Sequence, residues 1–193
     1  MFRGSKKAEM GIGTLILFIA MILVAAIAAG VLIQTATNLQ SKALETGSRS
    51  TRQVSTAVGT VLVYGEDATD SKINSIFQNV KLVAGSESVK LNDSVLSIDL
   101  SDDSADLTYS STEACDNNVT SGSFAAKYLI NGSDHLLGYI SIGDVVQICY
   151  ALPRAVGEDE NLRITFIPKV GSVMTIRAVT PEVMTTKRVF LYP

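Results

Sequence analysis

Residues 10–33 read MGIGTLILFIAMILVAAIAAGVLI, 24 residues without a charge. As a helix it would run roughly 36 Å at 1.5 Å per residue, enough to span a bilayer. A secretory signal has a shorter apolar core followed by small residues at its cleavage site, and this run is too long for that pattern. The segment is apolar all round, with Thr14 its one polar side chain. A helix of that kind has to be covered on every side, by lipid or by other helices. Gly11, Gly13, Ala20, Ala25, Ala26, Ala28, Ala29 and Gly30 would let neighbouring helices approach closely.

Upstream lies a short positive leader, residues 1–8, MFRGSKKA, with Arg3, Lys6 and Lys7 as the only charges before Glu9. Basic residues before a spanning helix stay on the cytoplasmic side, so everything after the helix should face outward. The whole chain of 193 residues carries a net charge of −3. Without the leader it would hold 13 basic residues against 19 acidic ones, a net −6. An acidic body argues against nucleic-acid binding, which depends on Lys and Arg at phosphates.

Downstream, polar residues enter gradually and no Pro intervenes. Ala36, Leu39, Ala43, Val54, Ala57, Val58, Val61 and Leu62 recur mostly three or four apart. This spacing predicts an amphipathic stem that continues the helix to about Tyr64, giving a helical span of 9–64 with its apolar core at 10–33. Gly47 and Gly59 each weaken the stem by about 1 kcal/mol relative to Ala. Residues 65–80 read as a connector. From about Lys81 the period changes to two. Leu96, Ile98 and Leu100 share a face, as do Val146, Ile148 and Tyr150, then Leu162, Ile164 and Phe166, then Val173, Thr175, Arg177 and Val179. Val189 and Leu191 close the chain in strand-like sequence. Turn clusters separate the runs at Asp102-Asp103-Ser104, Asn117-Asn118, Asn131-Gly132-Ser133 and Gly157-Glu158-Asp159. The fold class predicted is α+β: a long N-terminal hydrophobic helix, then an all-β sandwich over 81–193, immunoglobulin-like or barrel-like.

The order of basic pair, small residue and uncharged helix resembles a class III signal peptide, the type cut by membrane prepilin-peptidase-like proteases. Such a cut falls before the apolar segment, so the helix stays in the mature protein. Lys6-Lys7-Ala8 followed by Glu9 matches the pattern, with the cut between Ala8 and Glu9. The small residue is usually Gly in this class, and here it is Ala8. The helix itself is similar to the N-terminus of archaeal flagellins (archaellins) over about residues 6–40. Gly11-Ile12-Gly13-Thr14-Leu15, Leu17-Phe18-Ile19-Ala20-Met21, Val24-Ala25-Ala26 and Ala28-Ala29 carry the likeness. Bacterial type IV pilins usually have Glu at the fifth mature position, where this chain has Gly13.

This resemblance implies a structural subunit of the archaeal flagellum, polymerising through a helix in which Gly11, Gly13, Leu15, Phe18, Ala25 and Ala29 would pack against other copies. It implies an extracellular homopolymer, with room for other archaellins, and a precursor held in the cell membrane. A membrane platform protein and an assembly ATPase would do the work of moving the helix out of lipid. The rival readings are an archaeal adhesion pilin and a surface binding module on a single anchor.

Three N-x-S/T sequons, at Asn92, Asn118 and Asn131, sit in or beside turns on the outward side. They are candidate acceptors for an oligosaccharyltransferase, although Asn and Ser are also ordinary turn residues. Cys115 and Cys149, the only cysteines, suggest an extracellular disulfide. A buried free thiol at Cys149 competes with that reading. Asp99, Asp102, Asp103 and Asp106 lack the Gly and terminal Glu of an EF-hand and read as a solvated turn. Ser133, Asp134 and His135 are triad residue types in a row, whereas a triad is defined by spatial roles. No catalytic constellation, metal site or cofactor fingerprint is expected, and the chain is expected not to be an enzyme.

Overall fold

A computed structural model describes residues 5–66, 71–110, 115 and 122–193. The chain divides into two compact units, Met1–Arg49 and Ser50–Pro193. Helix α1 runs over Ser5–Ser55, 51 residues, and passes through Gly47 without a break. Its apolar stretch favours helix because Leu, Ile, Met and Ala dominate and no Pro interrupts it.

The stem expected to reach Tyr64 stops nine residues earlier. After Ser55 the chain turns into strand β1, Val58–Glu66. Val58, Thr60, Val61 and Val63 are β-branched and suit a pleated surface. The three- and four-residue spacings fitted a helix equally well, and pairing on both sides of β1 decides between them. The expected connector 65–80 is a second correction, because Ile73–Leu82 forms β2, a long strand paired to β1. The β domain therefore begins at Val58, not Lys81.

The remaining strands are β3 (Val89–Lys90), β4 (Val95–Leu100), β5 (Ser104–Tyr109), β6 (Ser123–Ile130), β7 (Tyr139–Ile140), β8 (Val145–Val156), β9 (Asn161–Ile167), β10 (Met174–Val179) and β11 (Arg188–Tyr192). Nine of the eleven described strands make one sheet in the order β10-β9-β4-β5-β6-β8-β2-β1-β11, and β3 pairs with β7 alone. All neighbours are antiparallel except β5 and β6, which meet in parallel at Thr108–Ser123 and Tyr109–Phe124. The two outermost strands, β10 and β11, approach each other without pairing.

Register explains the core. Leu96, Ile98 and Leu100 on β4 face Phe166, Ile164 and Leu162 on β9. Val146, Ile148 and Tyr150 on β8 face Tyr128, Ala126 and Phe124 on β6 and Val80, Gln78 and Ile76 on β2. One buried cluster contains these inward faces together with Val89 and Ile140 of the small sheet and Leu91 of the 3-10 turn Leu91–Asp93. On β10 the buried face is Ile176 and Ala178, and the face read from the sequence, Val173 to Val179, is the outer one.

Candidate functional site

The first unit is the apolar helix. The side chains from Met10 to Ser55 are exposed. The helix is long and apolar enough to cross a membrane. Thr14 donates its hydroxyl to the Gly11 carbonyl at 3.0 Å, so the one polar side chain of the apolar stretch needs no outside partner. Thr35, Thr37 and Ser41 bond back onto the helix in the same way. Self-satisfaction of this kind is what a water-free surrounding demands.

The structure separates the expected packing residues. Gly11, Leu15, Phe18, Ala25 and Ala29 follow one another by four, three, seven and four positions. At 100° per residue they fall within roughly 80° of arc, one seam along the helix. Gly13 lies on the opposite side. A Cβ at Gly11, Gly13 or Gly30 would meet nothing within 4 Å inside the chain. Lys6, Lys7, Ala8 and Glu9 are in the first turns of the same helix.

The second unit includes the last turn of α1 and clamps it. Thr56, the residue after the helix, is buried, and its carbonyl accepts the Ser172 amide at 2.8 Å. Its hydroxyl accepts the Glu87 amide at 3.3 Å. The next residue is held by Ser86, whose hydroxyl accepts the Ala57 amide at 2.9 Å, while Val83 donates to the Ala57 carbonyl at 3.0 Å. Gln53 reaches the Gly171 carbonyl at 3.4 Å, and Arg52 pairs with Glu87 at 3.4 Å. The Arg52 pair is exposed and adds little. The strength lies in the buried backbone bonds to Thr56 and Ala57. Sequence reasoning missed this joint because its partners are about 30 and 116 residues away. A cleft of about 220 Å³ beside it is lined by Arg52, Glu87, Lys90, Asp93 and Lys169, below the size usual for a ligand pocket.

On the outer face of the sheet, Cys115 and Cys149 are joined, with Cα atoms 5.5 Å apart. Cys149 packs with Tyr64 and Phe77, whose rings stack at 5.3 Å, and the Arg188 guanidinium sits 4.4 Å above Tyr64. Among the sequons, Asn92 is exposed, but Ser94 is buried and its hydroxyl donates to the Lys90 carbonyl at 2.8 Å. Asn131 and Ser133 are both exposed. Asn118 lies outside the described residues. Asp102, Asp103 and Asp106 are exposed, and Asp103 caps the amide of Ser104 at 2.8 Å. His135 lies 3.5 Å from Asp144, and its ring meets Tyr128 edge-on. The structure thus draws His135 toward residues far from the Ser133-Asp134 pair beside it in sequence.

Comparison with known proteins agrees with the helix and the β domain together. The family model for archaeal-type flagellin matches residues 8–178. The chain is 35% identical over 184 residues to flagellin B3 of Halobacterium salinarum, covering 94% of this chain and 93% of that one. It is also 35% identical to flagellin B1 of Methanococcus voltae, covering 98% and 97%. In fold it is similar to the subunit in the structure of the archaeal flagellum of Methanospirillum hungatei, with a TM-score of 0.71 at 15% identity over 93% of this chain and 98% of that one. It is similar as well to the crystal structure of an archaeal flagellin from Methanocaldococcus jannaschii, with a TM-score of 0.63 at 20% identity over 70% of this chain and 96% of that one. With a family match spanning most of its length and relatives this close along nearly all of it, the chain belongs to the archaeal-type flagellin family.

Proposed function

We propose that this chain enters the cell membrane through α1, is cut between Ala8 and Glu9 by a prepilin-peptidase-like protease, and then polymerises through the retained helix. As an archaeal-type flagellin it is a structural subunit of the archaeal flagellum filament, and it works outside the cell by self-assembly. The observation that carries the reading is the fully exposed apolar helix. Lipid covers it in the precursor, and other copies of the same helix cover it in the filament. The seam of Gly11, Leu15, Phe18, Ala25 and Ala29 supplies close helix contacts, with Gly13 serving a second neighbour. A membrane platform protein and an assembly ATPase supply the work of leaving lipid. The role is mechanical and needs no catalytic group. The Thr56 joint passes torque from the helical core into the β domain. Oxidation of Cys115 and Cys149 to each other and glycan transfer to one or more of Asn92, Asn118 and Asn131 complete the outer surface.

N-terminal sequencing of subunits from sheared surface filaments tests the processing step. The expected first residue is Glu9. An intact Met1 end, or an end beyond Gly30, overturns it.

A further inference from the structure

The β domain carries an apolar surface that its own fold does not use. Leu129, Ile130, Leu136, Leu137 and Ile142 are each about half exposed or more. They come from the end of β6, the loop that follows it, and the turn before β8. A register shift between Tyr128 and Ile130 lets two consecutive residues of β6, Leu129 and Ile130, face solvent.

These side chains are presented on a rigid frame. The buried carboxylate of Asp144 accepts the Gly132 amide at 2.7 Å and the Ser141 amide at 3.0 Å. The Tyr128 hydroxyl accepts the Gly138 amide at 2.9 Å and donates to the Tyr139 carbonyl at 2.8 Å. Gly132 lies so close to the turn that a Cβ there would stand 2.2 Å from the Ile142 carbonyl oxygen. The loop is therefore ordered before any partner arrives, which lowers the entropy cost of docking.

We infer that this apolar tip docks on a second copy of the chain in the filament, as a lateral contact between β domains. The inference rests on the filament reading above. Five aliphatic side chains at this exposure offer on the order of 500 Å², at the upper end of what monomers leave uncovered. That is more than half of the ~800 Å² one partner gives to a standard interface. Weak alone, such a contact suffices between copies already held together by their helices, where the effective concentration is high. A helical polymer needs contacts between two different surfaces of the same chain. Other exposed apolar side chains of the domain are Val173, Val179 and Val183, along β10 and the segment after it, with Thr175 and Arg177 between them. The sequon at Asn131 lies inside the docked area, so Asn131 carries no glycan in assembled filaments.

A photo-crosslinking residue at position 137 of the full chain, irradiated in intact filaments, tests this. The expected product joins two copies, from position 137 of one to a peptide of the other outside residues 127–144. A cross-link to a glycan, to another protein, or none at all overturns the inference, as does a glycan on most Asn131 peptides. Leu137→Ser and Ile142→Ser change exposed side chains, so the subunit folds and is processed, yet filaments are expected to shear into several-fold shorter pieces. Unchanged lengths in both also overturn it. If the unsubstituted chain makes no filaments, the failure lies in the filament reading instead.

Discussion

The amide of Ser172 donates to the carbonyl of Thr56 at 2.8 Å, tying the first residue beyond α1 to the loop that leads into β10. Gly171 makes this bond reachable. It has φ +119°, and a Cβ there would stand 2.8 Å from the Thr56 carbonyl oxygen. Gly171→Ala is therefore expected to open the joint, at a cost of about 1–3 kcal/mol. Hydrogen exchange should speed up at Ser172 and Val83 while the amides of β4 and β9 stay protected. Cells with the variant should build filaments that swim poorly. Unchanged exchange at Ser172 would count against the joint.

A second outcome concerns acid. Arg154 hydrogen-bonds Glu160 and, helped by the Gly157 amide, holds its carboxyl below the ordinary carboxylate range. A carboxylate with its folded pKa depressed stabilises the fold at neutral pH. That contribution is lost as pH falls through the ordinary carboxylate range toward the lower folded value. Between about pH 6 and pH 3 the unsubstituted chain should lose stability more steeply than Glu160→Gln, as read by denaturant unfolding. Parallel slopes would dismiss the pair as a source of acid sensitivity.

The Cys115–Cys149 pair closes a loop with a sequence separation of 34. By the chain-entropy argument it is worth roughly 3–4 kcal/mol, so Cys115→Ser should lower stability by about that amount. Reduction should do the same to the unsubstituted chain and nothing to the variant. Alkylation of unfolded, unreduced protein should label neither cysteine.

The helix seam offers the plainest distinction between filament core and anchor. Lipid tolerates a larger apolar side chain, whereas close-packed helices pay about 1–3 kcal/mol per overpacked site. Ala25→Leu and Ala29→Leu should leave insertion and processing normal and abolish or shorten filaments, as seen by electron microscopy. Full-length filaments and normal swimming in both variants would refute helix-core packing along this seam.

Where one periodicity acted alone, the sequence was legible. The uncharged run from Met10 could only be a helix, and the inward faces of β4 and β9 follow a clean alternation. Strand β2 was hidden because its core face, Ile76, Gln78 and Val80, includes a polar residue, while apolar Phe77 on the other face is buried beside the disulfide. No alternation survives that. The helix end at Ser55 was hidden because Val54, Ala57, Val58, Val61 and Leu62 satisfy a helical spacing, and only pairing with β2 and β11 reveals the strand. The Thr56 joint and the Asp144 clamp rest on backbone amides supplied by distant loops, which leave no mark on composition or period.

The bare surface of α1 also bears on the direction of subunit traffic. If lipid covers α1 first and other copies cover it later, as proposed, a subunit leaving lipid would go straight into a lattice of its own kind, since its apolar length has no stable stopping place in water. Once broken off, it cannot wander back and rejoin, because its apolar length would clump with whatever it met first. On the proposed pathway the filament would be a one-way structure: it would be supplied from the membrane end, it would not exchange worn subunits with the medium, and a snapped length would be repaired only by new synthesis.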